Sequence, residues 1–251
     1  MCLILVAWRM SERFPLVVAA NRDEFYARKT AAAHWWPDHP DVLAGRDLQA
    51  GGTWMGVTRS GRFAALTNYR DPERQRDDAP SRGALVSDFL TGSLSAEAYL
   101  AQIREHASGY NGFNLLVGDS DALFCYSNVD DQIHTLQPGL HGISNELLDS
   151  PWPKLVRGKA AVGAALPDLP DASRLFAALG DSAVVPDDEL PDTGVGIEWE
   201  RLLSPAFIQS ANYGTRCSTV LLMGDVLHFE ERSFGPHGKP GGRVVEETRL
   251  K

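Results

Sequence analysis

The chain opens on an apolar run over residues 2–7, steps through polar residues 9–13, and returns to an apolar run over 15–20. So short a link between two apolar runs predicts a pair of antiparallel strands. Residues 51–57 and 63–67 read as two more strands, separated by Arg59-Ser60-Gly61. The charged stretch 70–82 carries Pro72 and Pro80 and reads as a solvated loop. Beyond it the period changes. Leu85, Val86, Phe89 and Leu90 share a helical face after a candidate cap at Ser81, and Ala96, Tyr99, Leu100, Ile103 and Ala107 do so after Ser95. Strands resume over 113–117, 123–127 and 132–136. A third helix is expected from Pro151-Trp152-Pro153, since proline is tolerated in a first turn, and a short one over 175–179. The end reads as strands over 218–223, 226–232 and 243–248.

Strands at both ends with helices between them predict an α+β fold. No repeat, low-complexity tract or linker divides the sequence, so residues 1–251 are expected to form a single domain. The 24 basic and 33 acidic residues give a net charge of −9, which disfavours a nucleic-acid partner. Cys2, Cys125 and Cys217 are odd in number and widely spaced, which argues against a disulfide framework or a zinc site and suits a reducing compartment. The run over 3–8 is too short to span a bilayer and no basic region precedes it. A soluble, cytoplasmic protein without a transmembrane segment is expected. The seven histidines show no metal-ligand spacing, and Gly51-Gly52 lacks a phosphate-loop pattern, so neither metal nor cofactor is expected.

The candidate chemistry starts at Cys2. Loss of Met1 would give this residue a free α-amine beside its thiol, and such an amine can serve as the base for its own side chain. The amine titrates near about 7.7–8.0 and a free thiol near about 8.5, both close to neutrality. The plainer reading is a small buried residue opening a strand. Asn21-Arg22-Asp23-Glu24 ends the second run and, if the two strands pair, lies beside Cys2. There Arg22 would favour a thiolate and Asp23 would orient the amine; an exposed turn with a surface ion pair is the alternative. Asn68 and Asn145 fall at other strand ends, as oxyanion donors or as turn formers. Arg216 opens a late strand, to bind a substrate carboxylate, to steady the thiolate, or simply to face solvent. His34-Trp35-Trp36-Pro37 reads as an aromatic wall for a planar ligand or as a core satellite under a loop.

Taken together, Cys2, the Asn21–Glu24 tetrad, Gly51-Gly52-Thr53-Trp54, Thr67-Asn68-Tyr69-Arg70, Ser144-Asn145-Glu146 through Pro151-Trp152-Pro153-Lys154, and Thr215-Arg216-Cys217-Ser218 resemble the NRDE family, also called the transport and Golgi organisation 2 family. The resemblance runs from residue 1 to about residue 250. It implies an N-terminal-nucleophile hydrolase fold, a four-layer αββα sandwich of two stacked antiparallel sheets. More distantly, the arrangement is similar to cysteine-type penicillin V acylases and bile-salt hydrolases, which use an N-terminal cysteine, an Arg-Asn-x-Asp segment, two asparagines and a late arginine. Carried over, Cys2 is the nucleophile, Asp23 orients its amine, Asn68 and Asn145 hold the oxyanion or substrate, and Arg216 is the late arginine. Asn21, Arg22, Glu24, Trp54, Tyr69 and Arg70 complete the expected substrate-binding set. One position departs: Ala20 stands in the first arginine's place, with Arg22 two residues along on the same side of the strand.

Two functions follow. One is an amidase acting on a linear amide of a small molecule through a Cys2 acyl-enzyme. The other, implied by the family's association with haem mobilisation and with lipid or acyl-coenzyme A homeostasis, is a carrier or chaperone for haem or an acyl lipid, with Trp35 and Trp36 as candidate contacts. An inactive member that keeps the fold as a binding platform is a third.

Overall fold

A computed structural model describes residues 2–251. Its strands are β1 (Cys2–Trp8), β2 (Leu16–Phe25), β3 (Thr30–Trp35), β4 (Val42–Asp47), β5 (Met55–Thr58), β6 (Phe63–Asn68), β7 (Phe113–Gly118), β8 (Leu123–Ser127), β9 (Gln132–Thr135), β10 (Gly139–Ile143), β11 (Tyr213–Met223), β12 (Val226–Gly235) and β13 (Lys239–Arg249). Its α-helices are α1 (Gly83–Thr91), α2 (Ala96–Arg104), α3 (Pro153–Ala165), α4 (Ser173–Leu179) and α5 (Ile197–Leu203). The strands form two antiparallel sheets, β10-β1-β2-β11-β12-β13 and β3-β4-β5-β6-β7-β8-β9.

Alternation along β1 and β2 builds the layers. Ile4, Val6, Trp8, Leu16, Val18 and Ala20 face the second sheet, where they meet Val57, Phe63 and Leu116. Leu3, Leu5, Ala7, Val17 and Ala19 face the other way, onto Leu155 and Val162 of α3 and Leu175 and Leu179 of α4. Helices α1 and α2 cover the second sheet through Leu85, Phe89, Tyr99 and Leu100 against Ala64, Leu115 and Val117. The result is the αββα sandwich that the resemblance implies. Burial of β1 and β2 on both faces explains why they read as unbroken apolar runs.

Ser95 caps α2, accepting from the Ala98 amide at 3.2 Å. Helix α1 differs from expectation: Arg82 is its N-cap, without a side-chain cap, and Ser81 Oγ accepts only from the Gly83 amide at 3.4 Å. The sequence pattern also misses β3 and β4. Their register shifts between Ala31 and His34, which breaks the alternation. Trp36 is core rather than a ligand wall: it is 2% exposed and donates through Nε1 to the Ala44 carbonyl at 3.1 Å. Trp35 stacks under Arg59 and donates to Glu246 at 3.0 Å, joining β3 to β13.

Gly51-Gly52 is a turn, not the start of a strand. Gly51 takes φ 82°, and a Cβ on Gly52 would lie 2.4 Å from the Gly83 carbonyl carbon. The Thr53 amide donates to the Gly83 carbonyl at 3.2 Å. This close approach presses the start of α1 against the β4–β5 connection. We expect Gly52→Ala to cost about 1–3 kcal/mol by overpacking, measured by denaturant unfolding.

Asp149 ties β10 to α3. Its carboxylate accepts from His141 Nδ1 at 2.8 Å, the Gly142 amide at 2.9 Å and Lys159 Nζ at 2.7 Å. Burial alone would raise its titration, but the hydrogen bonds from His141, Lys159 and Gly142 outweigh it and hold the carboxyl at about 2. A folded value below the unfolded one gives stability that is present at neutral pH and lost as pH falls from about 4 toward about 2. His141 is raised by the same bond, so its share is present below about 6.5 and is lost as pH rises through its folded value. With Asp149 33% exposed, Asp149→Asn should cost about 1 kcal/mol near pH 5 after solvent screening. Unfolding curves of the two proteins should converge on acidification.

Candidate active site

Pairing of β1 with β2 sets Cys2 directly opposite Arg22, and β11 pairs on the far side of β2 to set Cys217 opposite Arg22 as well. Directly opposed residues share a face, so the guanidinium rises between two thiols on the face turned toward the second sheet. Its carbon stacks 4.4 Å from the centre of the Trp54 ring. Gly45 makes room for that indole, since a Cβ there would lie 2.1 Å from it. Arg22 is 6% exposed; Nη2 stands 4.0 Å from Glu24 Oε2, and Nη1 is buried with no hydrogen-bond partner. Ala20 lies in the core on this same face. Arg22 thus holds a place one step along from it, next to Cys2.

Asp23 faces the helices. Its Oδ1 accepts from Thr215 Oγ1 at 2.7 Å, and Thr215 in turn accepts from the Ile208 amide at 2.9 Å. Burial raises the Asp23 carboxyl, while Lys154, the Thr215 bond and Arg22 oppose the rise. Burial likewise pushes the Cys2 thiol up; Asp23 adds to the shift, whereas Arg22 and the Asp23 backbone amide counter it. The expected lowering by Arg22 is therefore present but smaller than the desolvation it works against.

A cleft opens here, lined by Cys2, Arg22, Asp23, Glu24, Thr53, Trp54 and Asn68, with Arg28, Asp47, Arg76, Asp77, Ser81, Arg82 and Gly83 among its outer residues. Asn68 lines it, and its carboxamide makes no hydrogen bond among the described residues. Asn145 stands behind Asn68. It is 1% exposed, donates to the Asn68 carbonyl at 2.8 Å and accepts from Arg70 Nη2 at 3.3 Å. Arg70 in turn pairs with Glu200 at 2.7 Å, whose other oxygen accepts from the Thr193 amide at 2.8 Å.

The remaining expected site residues lie elsewhere. Asn21 points toward the helices, donating to the carbonyls of Leu179 at 2.8 Å and Ala206 at 2.7 Å and accepting from Ser218 at 2.6 Å. Tyr69 donates to Glu146 at 2.6 Å and lines a separate groove. Arg216 sits at a bulge in β11. Its guanidinium donates to the carbonyls of Phe25 at 3.0 Å and Arg28 at 2.9 Å and to Thr30 Oγ1 at 3.2 Å. Those bonds tie it to the β2–β3 connection, and it does not line the cleft.

Sequence reasoning missed Lys154, Glu200 and Arg82. Lys154 is buried, donates to the Leu203 carbonyl at 2.9 Å and is held at about 8, by burial first and then by the Arg70 charge. A lysine in the first turn of a helix ordinarily faces solvent, and no local signal distinguishes this one.

A family model described as "Transport and Golgi organisation 2" matches residues 1–235. The chain belongs to the transport and Golgi organisation 2 family. Among its relatives, the "Transport and Golgi organization 2 homolog" of Mus musculus is 35% identical, covering 88% of this chain and 87% of its own length. The "Transport and Golgi organization protein 2 homolog" of Homo sapiens is 37% identical with the same coverage, 88% and 87%. Solved structures of the N-terminal-nucleophile hydrolase fold superpose on the whole chain. Penicillin V acylase from Agrobacterium tumefaciens gives a TM-score of 0.54 at 12% identity, covering 100% of this chain and 86% of that one. A mutant conjugated bile acid hydrolase from Clostridium perfringens gives 0.53 at 7% identity, covering 100% and 92%. At these identities the likeness is one of fold. Among the described residues of this family member, no helix is long and apolar enough to cross a membrane.

The Arg70–Glu200 pair supports the cleft through Asn145. Glu200→Gln would leave the Arg70 guanidinium buried without its counter-charge, at a cost of about 3–5 kcal/mol. Chemical denaturation of the two proteins side by side measures it.

Proposed function

We propose that this family member hydrolyses a linear amide, with Cys2 as nucleophile once Met1 has been removed. Met1 lies outside the described residues, so this step rests on the sequence. The observation that carries the reading is the convergence of Cys2, Arg22, Asp23 and the unpartnered Asn68 carboxamide on one cleft. A buried thiol whose titration is raised is not a standing thiolate at neutral pH. It needs a base, and the α-amine of an N-terminal cysteine is that base. The amine takes the thiol proton as sulfur attacks the amide carbon. The Asn68 N–H groups hold the tetrahedral oxyanion. Collapse breaks the carbon–nitrogen bond, and the ammonium returns its proton to the departing amine. Water then attacks the thioester with the amine again as base, releasing the carboxylic acid and restoring the thiol.

In this mechanism Arg22 faces the sulfur with positive charge, and Asp23 accepts from the α-ammonium and orients it. Asn145, Arg70 and Glu200 position Asn68 without touching substrate. Asn21 braces β2 from within the strand, and Arg216 braces its C-terminal end at Phe25. The carrier reading draws on the family alone: Trp36, one of its candidate contacts, is spent in the core. In assays of acylated amines with Met1-free protein, Cys2→Ala should lower turnover by about 10³-fold or more. Equal rates for the two proteins, or full activity in protein whose intact mass retains Met1, would overturn the mechanism.

A further inference from the structure

Four arginines and four carboxylates line the cleft, but they are not paired one with one. Arg28 is committed to Asp47 at 2.6 Å, and Arg76 to the Ser108 and Gly109 carbonyls. Arg82 lines the cleft and donates Nη1 to the Gly112 carbonyl at 2.9 Å, but no carboxylate stands within ion-pairing distance of it among the described residues. Arg22 has only Glu24, at 4.0 Å, a carboxylate it shares with Arg28 at the same distance. Its Nη1 is buried and unpartnered. The other two acids of the lining are Asp77, on the exposed loop, and Asp23, which accepts from Thr215.

The same wall holds the start of α1, a nine-residue helix with no side-chain cap and no acidic residue in its first turn. Gly83, its first residue, lines the cleft because Gly52 lets the two backbones meet. The positive end of the helix dipole favours an anion at such a terminus, and two guanidiniums with uncommitted donors add charge-assisted hydrogen bonds.

We infer that this wall is an anion subsite: Arg82, Arg22 and the first turn of α1 take a carboxylate or phosphate group carried by the ligand whose amide carbonyl lies at Cys2. The inference rests on the reading of the cleft as the ligand site. It makes the preferred ligand an acyl amide whose amine portion bears the negative group.

Three ligands of equal acyl length separate the outcomes: N-octanoylglycine with a carboxylate, N-octanoyl-O-phosphoethanolamine with a phosphate, and neutral N-octanoylethanolamine. Titration calorimetry on Cys2→Ala protein reads binding without turnover. At least one charged ligand should bind about tenfold or more tighter than the neutral one, and the stronger of the two identifies the anion. The preference should disappear in Arg82→Gln and persist in part in Arg82→Lys. In the protein with Arg82 intact it should shrink as salt rises from about 0.05 M to about 0.5 M. Equal binding of all three, binding of none, or a preference unchanged in both Arg82→Gln and high salt would overturn it. Hydrolysis assays with Cys2 present keep the two proposals apart. An anion preference without hydrolysis defeats only the amidase reading, whereas equal hydrolysis of charged and neutral amides defeats only the anion subsite.

Discussion

The register between β1 and β2 is the constraint on which the site depends. It puts Cys2 opposite Arg22 and leaves Asp23 on the other face. A slip of one residue would turn every side chain of the strand over, carrying the thiol to the helices and Leu3 and Leu5 into the space between the sheets. Such a slip is blocked from both sides, because each face of this strand pair is packed against a different hydrophobic layer. Asn21 adds a directional lock. Its amide is measured against two carbonyls held by the helical layer, those of Leu179 and Ala206.

Behind the thiol the fold accepts an electrostatic burden. Asp23, Lys154, Arg70 and Glu200 are all largely removed from water, two negative groups against two positive ones. Each would be costly alone, and only the mutual neutralisation, the hydrogen bonds from Thr215 and Thr193 and the one that Arg70 donates to Asn145 make the cluster tolerable. Arg70, Lys154 and Glu200 lie away from the cleft lining, and Asp23 is the member of the cluster that reaches it.

Much of this was legible in the chain, for identifiable reasons. The apolar runs of β1, β2 and β11, the helical faces of α1 and α2, and the Ser95 cap announce themselves through period and local hydrogen bonding. Cys2, Arg22, Asp23 and Asn68 stood out because each ends a strand, and strand ends in one sheet converge. Strands β3 and β4 did not show, since a register shift interrupts their alternation. Asn145 and Arg70 were singled out, but only the long-range bonds to Asn68 and Glu200 reveal that they act at one remove. Arg216 looked like a site arginine from its strand-end position. The bulge beside it turns the guanidinium to the β2–β3 connection, and no residue-level signal marks a bulge there.

The Asn21 lock joins parts of the chain that are made far apart in time. Its partners are 158 and 185 residues downstream, and Thr215, which holds Asp23, is 192 residues from it. Contacts of such separation form late, after the local hairpins and helices. During synthesis the first strand pair therefore leaves the ribosome well before Leu179, Ala206 and Thr215, the partners that fix Asn21 and Asp23 in the folded chain. The tetrad beside Cys2 is written at the beginning of the chain but acquires its geometry near the end of it. A nascent chain that stops short of Tyr213 carries every residue that lines the cleft but lacks Thr215 and Ser218, which fix Asp23 and Asn21.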